Sequence, residues 1–144
     1  MQYCPEPFDP NDYPNYIFSS TGSVWSIRHK RFIKPWKGGN LNRYSVVRLW
    51  NNSGKGKIIK VHQIVMLLYG PPQPSTEHVI DHIDSDRENN TIENLQWLHW
   101  LENCRKGVQA RKERLANVHN QERTQRTHGH THNESDQGFH GVIG

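Results

Sequence analysis

Between Tyr16 and Lys60, short β-branched and aromatic runs alternate with turn residues. Tyr16-Ile17-Phe18 is followed by Ser20-Thr21-Gly22, and Val24-Trp25-Ser26-Ile27 alternates apolar and polar. Phe32-Ile33-Lys34 precedes Pro35 and the turn Gly38-Gly39-Asn40. Tyr44 to Leu49 leads into Asn51-Asn52-Ser53-Gly54, and Lys57-Ile58-Ile59-Lys60 follows. Gly, Pro and Asn interrupt each run before it grows long, so this rhythm predicts a meander of short hairpins. The period then changes. Val61, Ile64, Val65 and Leu68 recur at helical spacing, and Gly70-Pro71-Pro72 stops the helix. His62 falls in its first turn and reads as a structural or surface histidine rather than a catalytic one.

Only 33% of the 144 residues are hydrophobic and the mean hydropathy is -0.93, so a thin core is expected. Cys4 and Cys104 are too few for a disulfide framework or a thiolate zinc site, although a bridge between them stays open. No apolar run approaches the roughly 20 residues of a membrane span. The opening MQYCPEPFDP has no basic-then-apolar signal pattern. A reduced, cytoplasmic protein is therefore expected.

Charge is distributed in blocks. From Tyr13 to Thr76 there is no Asp or Glu, while Arg28, Lys30, Arg31, Lys34, Lys37, Arg43, Arg48, Lys55, Lys57 and Lys60 fall in that stretch. From Glu77 to Cys104 seven acids face one base, Arg87, and from Arg105 to Thr127 the chain is basic again. Basic blocks flanking an acidic centre suggest a nucleic-acid grip around a metal site.

The acidic centre carries the chemistry. Val79-Ile80-Asp81-His82-Ile83-Asp84 is followed by Asn89-Asn90, Asn94-Leu95 and Glu102-Asn103. Val79-Ile80 and Leu95-Gln96-Trp97 read as strands, and the segment from about His99 to Gly107 as a helix ending at Gly107. His82 is a candidate general base, since imidazole titrates near neutrality. Asp81 and Asn103 could supply oxygens to a Mg²⁺ ion that keeps much of its water. Adjacent side chains on a plain strand point apart, so Asp81 and His82 are expected to converge only if the chain leaves the sheet there. The Asn94 amide can donate and accept at once and so tie the loop to the following strand. Asn89-Asn90 reads as a loop turn, and Asp84 and Asp86 as loop supports rather than ligands.

Residues 78–107, HVIDHIDSDRENNTIENLQWLHWLENCRKG, resemble the HNH endonuclease family, most of all its phage and intron homing branch. VIDHID, the loop Asn-Asn, Asn94-Leu95 and Glu102-Asn103 carry the likeness. The resemblance implies a two-stranded hairpin and a helix around one metal ion. His82 would be the general base, and Asn94 the structural Asn of the catalytic motif. Asp81 and Asn103 would be the metal ligands, with Asn103 where many members carry His. The ion implied is Mg²⁺, with Mn²⁺ as the alternative; paired CxxC clamps are absent, so no structural zinc is expected. Upstream, Gly22-Ser23-Val24-Trp25-Ser26, Tyr44 to Val47 and Val61-His62 are similar to the strand-rich segment that lies along DNA in such enzymes. Gln137-Gly138-Phe139-His140-Gly141-Val142 looks like the first strand of a DNA-binding domain of the plant ethylene-response type, either truncated or alike by chance.

The expected fold is therefore α+β. An irregular leader (1–15) precedes a basic β-rich DNA-binding arm ending in a short helix (16–76). A ββα-metal nuclease module (77–107) and a largely flexible polar tail (108–144) follow. Within the tail, 109–115 could continue a helix. The expected partner is double-stranded DNA, held by Arg28, Lys30, Arg31, Lys34, Lys37, Arg43 and Arg48, with Arg105 and Lys106 near the cut. A monomer is favoured. Two rivals stand beside the endonuclease. One is a non-catalytic DNA-binding or regulatory protein. The other is a metal-binding protein using the tract His128-Gly129-His130-Thr131-His132.

Overall fold

The computed structural model describes residues 8–38 and 43–128. Three small antiparallel sheets and two helices build it. Strands β1 (Tyr16–Phe18), β2 (Val24–Ser26) and β3 (Arg31–Phe32) form one meander. Strands β4 (Trp36–Lys37), β5 (Ser45–Trp50) and β6 (Gly56–Lys60) form a second. Helix α1 (Val61–Tyr69) follows directly, then the hairpin of β7 (His78–His82) and β8 (Leu95–His99), which runs into helix α2 (Trp100–His128). The mixed strand and helix architecture expected from the sequence is present. The two-residue β4 lies just past Pro35, where the sequence suggested a break.

One core joins these pieces. Val47 and Leu49 of β5 and Ile59 of β6 pack on Val61, Ile64, Val65 and Met66, the inward stripe of α1. Val24 of β2, Ile80 of β7 and Leu95 of β8 close the cluster, with Tyr13 at its edge. Residues from the basic arm and from the acidic centre thus share one interior. On the outer face of the second sheet, Trp50 lies across Gly56, where a Cβ would meet its ring at 3.2 Å. That Gly is matched to the ring opposite it in the register.

α1 ends where the sequence stops it: the Gly70 N–H bonds Met66 O, and Pro71 cannot continue the ladder. α2 does not end at Gly107 as expected but continues to His128, so part of the segment expected to be flexible is helical. Gly107 is exposed, and a Cβ there would meet nothing within 4 Å. Glycine inside an exposed helix costs about 1 kcal/mol relative to alanine, which the helix formers after it offset. Gln109 bonds Glu113 at 2.9 Å and the Arg114 side chain bonds Ala110 O at 3.3 Å, both at helical spacing. The chain divides into two units, Met1–Asn103 and Cys104–Gly144. Among the described residues no helix is long and apolar enough to cross a membrane. Cys4, residues 129–132 of the His-rich tract and Gln137 to Val142 lie outside the described residues.

Candidate active site

The β7–β8 hairpin sets the register of the acidic centre: Asp81 pairs with Gln96, and His82 with Leu95. β7 continues through His82, so the chain does not leave the sheet before it, and alternation turns the two side chains to opposite faces. His82 shares its face with Ile80 and Leu95, toward the core. Asp81 shares the other with Gln96, whose Nε2 donates to Asp81 Oδ2 at 2.8 Å. Asp81 and His82 are nearly sealed, at 7% and 4% exposure.

The loop after His82 is tied down by short polar side chains. Ile83 N–H donates to Asn94 O at 2.9 Å, extending the hairpin by one step. Asn94, buried, accepts from Asp84 N–H at 3.1 Å, and its Nδ2 donates to Asp84 Oδ1 at 2.9 Å and to Asn89 O at 2.8 Å. Asp84 also accepts from Asn89 Nδ2 and from the Asp86 N–H. These bonds, the Asn89 amide first, then Asp86 N–H and Asn94, favour the carboxylate and lower the Asp84 pKa. Its oxygens are engaged in the loop, and Ser85 beside it takes a left-handed backbone at φ 64°.

Three residues that sequence reasoning did not place at the site surround His82. Asn90, expected only to turn the loop, is buried with Oδ1 2.9 Å from His82 Nε2. His62 is buried rather than superficial, its ring edge-on to His82 at 5.3 Å and to Tyr44 at 4.6 Å. Its Nδ1 has no hydrogen-bond partner among the described residues. Burial first, then the positive potential of His82, Lys60 and Arg87, lowers the His62 pKa to about 3. Tyr44 stacks near His82, with Lys60 Nζ 5.3 Å and Arg87 Cζ 4.7 Å from its ring centre. Arg87, the one base in the acidic stretch, is thereby gathered at this site. No local sequence signal marks these contacts, because Tyr44, His62, His82 and Asn90 come from four separate elements.

Asn103 is the fourth residue of α2 and half-buried. Arg105 is exposed and Lys106 half-buried on the same helix. Arg28, Lys30, Arg31, Lys34, Lys37, Arg43 and Arg48 are all exposed. Lys30 and Arg43 hold left-handed backbones at φ 50° and 43°. Lys37 pairs with Glu88 at 2.9 Å. A cavity of about 440 Å³ opens between the first two sheets, with Lys34, Phe32, Glu88 and Asn90 in its wall.

Residues 60–105 match the HNH endonuclease family model. An uncharacterized HNH endonuclease of Acanthamoeba polyphaga mimivirus is 32% identical over 89 residues, covering 61% of this chain and 21% of that protein. A second from the same virus is 31% identical over 83 residues, covering 58% and 24%. The DNA endonuclease I-HmuI of Bacillus phage SP01 is 32% identical over 87 residues, covering 58% and 46%. The chain thus spans less than half the length of each of these relatives. A solved structure concerned with DNA binding and cleavage by the HNH homing endonuclease I-HmuI matches with a TM-score of 0.57 at 26% identity. It covers 74% of this chain and 62% of that one, so the shared fold reaches beyond residues 60–105.

Proposed function

We propose that this chain, whose residues 60–105 match the HNH endonuclease family model, is a metal-dependent DNA endonuclease of homing type. The observation that carries this reading is the match of residues 60–105 to the HNH endonuclease model within a fold similar to that of I-HmuI, with Asp81 and His82 both buried at the end of β7. Phosphodiester hydrolysis is an in-line displacement, with the attacking and leaving oxygens on opposite sides of phosphorus, and it needs a proton acceptor and a cation at the same phosphate.

The donor set limits which ion fits. Among the described residues no three His, Cys, Asp or Glu side chains are grouped to hold a metal. Asp81 and Asn103 offer one carboxylate and one amide oxygen, which suits Mg²⁺, or Mn²⁺, sharing its shell with water and phosphate. These two residues would hold the ion, which when bound supplies positive charge for the phosphate and the leaving oxygen. His82 accepts a proton from water as the water oxygen bonds phosphorus. The phosphorus–oxygen bond to the leaving strand then breaks, and the departing oxygen is protonated from solvent. Gln96 steadies Asp81, and Asn94 keeps the loop closed beside His82. The exposed basic residues from Arg28 to Arg48 would grip the phosphates of double-stranded DNA, with Arg105 and Lys106 as further contacts.

Nicking of supercoiled plasmid tests the reading, with wild type, His82→Ala and Asp81→Ala each in Mg²⁺, Mn²⁺ and EDTA. Metal-dependent cleavage by wild type alone is expected. If wild type binds DNA yet leaves both plasmid and genomic DNA from its source uncut, a non-catalytic DNA-binding protein is the better reading.

A further inference from the structure

The Asn90 amide has two unlike ends, and its surroundings fix which is which. Its Nδ2 lies 3.1 Å from Glu88 O, an acceptor that cannot donate, so the NH₂ must point there. The reverse orientation would set carbonyl against carbonyl. Oδ1 is left facing His82 Nε2 at 2.9 Å, and an amide oxygen only accepts. Nε2 must therefore carry the hydrogen. In the neutral ring that the base reading requires, the single N–H is then at Nε2 and Nδ1 carries no hydrogen.

Asn90 is itself braced from behind. The turn joining β1 to β2 places Gly22 against it, so closely that a Cβ on Gly22 would come within 3.0 Å of Asn90 Cβ and 3.3 Å of Asn90 O. The same turn accepts from Ile92 N–H through Ser20 O at 2.8 Å, two residues beyond Asn90. Ser19 O in turn accepts from Gly22 N–H at 3.1 Å and keeps the turn closed. The first sheet thus forms the back wall for the residue that touches His82.

We infer that Asn90 is a positioning residue that selects the Nε2–H tautomer of His82, and that the Gly22 turn of the first sheet holds Asn90 in place to do so. The inference rests on the reading of His82 as the proton acceptor. A base in the wrong tautomer presents a hydrogen where the reaction needs a lone pair, so loss of Asn90 lowers turnover rather than substrate binding. Asp at this position keeps an acceptor oxygen for His82 but sets its second oxygen against Glu88 O, and Ala offers no acceptor at all.

The test is nitrogen-15 NMR of the full chain labelled at histidine ring nitrogens, with the His82 signals identified by their loss in His82→Gln. Wild type is expected to show a protonated-type Nε2 and a bare-type Nδ1. An Nδ1–H ring in wild type would overturn the inference without recourse to any variant. In the plasmid assay, Asn90→Ala is expected to lower kcat about 10- to 100-fold with KM held, as loss of a supporting partner does at other sites. Asn90→Asp, which keeps the acceptor but loses the bond to Glu88 O, should recover part of that loss. Equal damage by both variants, or a change in KM alone, would count against a positioning role. If wild type shows the Nε2–H ring but cuts no DNA, the tautomer assignment stands and the nuclease reading fails.

Discussion

Asp84 and Asn94 hold each other in both directions: the Asp84 N–H donates to Asn94 Oδ1 at 3.1 Å, and Asn94 Nδ2 returns a bond to Asp84 Oδ1 at 2.9 Å. The nine residues between them, 85–93, are closed into a loop by this exchange. Asn94→Ala strips partners from Asp84 and from Asn89 O at once. Asp84 is exposed, so water takes over its lost bonds, and the half-buried Asn89 O is the group left short of a donor. A lower urea midpoint is expected, with faster amide exchange across 83–91. Unchanged stability would mean that water replaces these bonds freely.

His62 gives the protein a pH dependence whose sign can be worked out. Its pKa falls from 6.5 to about 3 in the folded chain, so the native state keeps it neutral where the unfolded chain protonates it. The stability it contributes is fully present above about pH 6.5 and is lost progressively as pH falls toward 3. The slope approaches about 1.4 kcal/mol per pH unit within that window. His62→Phe should flatten the dependence of the urea midpoint between pH 6.5 and 4.5. Parallel decline of the two proteins would assign the slope to other groups.

Gly22 takes φ +84°, a conformation that L side chains rarely adopt, and has no room for a methyl group against Asn90 and Val61. Both effects oppose Gly22→Ala, and strain of this kind costs about 1–3 kcal/mol. A thermal midpoint several degrees lower is expected by differential scanning calorimetry. A neutral result would show that the turn relaxes away from Asn90.

If the basic face grips DNA as proposed, affinity falls linearly in log–log with salt. Arg48→Ala and Lys34→Ala should each reduce that slope by about 0.9. Lys37 is set apart by Glu88, 2.9 Å away, so Lys37→Ala should change the slope less than the other two. Fluorescence anisotropy of a labelled duplex from about 50 to 200 mM salt, over which the Debye length falls about twofold, reads all three. Equal slopes in every variant would remove Arg48 and Lys34 from the contact surface.

Elements with a strong local rhythm were legible in the sequence. The strands around Phe18, Val24, Val47 and Ile59 follow the alternation of apolar runs and turns, and α1 follows its inward stripe to the Gly-Pro stop. The hairpin, the loop and the helix after it were legible through motif spacing. What was hidden has a common cause. Asn90 looks like half of a turn dipeptide until β7 brings His82 beside it. His62 and Tyr44 meet through packing between a helix start and a strand entry, which no local window contains. Gln96 is marked only by the register that sets it opposite Asp81. Gly107 misled for the opposite reason: a local stop signal was outweighed by the residues after it.

The shared interior has a consequence for protein engineering. The family match begins at residue 60, which invites treating the motif as a portable cassette to be grafted onto another DNA reader. Yet Ile80 and Leu95 are the hairpin's fully buried core residues, and they pack with Val24, Val47 and Leu49 from upstream. Excised, the hairpin would lose both its hydrophobic floor and the turn that braces Asn90. Chimeras should therefore be cut in the loops outside the first two sheets, exchanging surface side chains and leaving the strands as one inherited block.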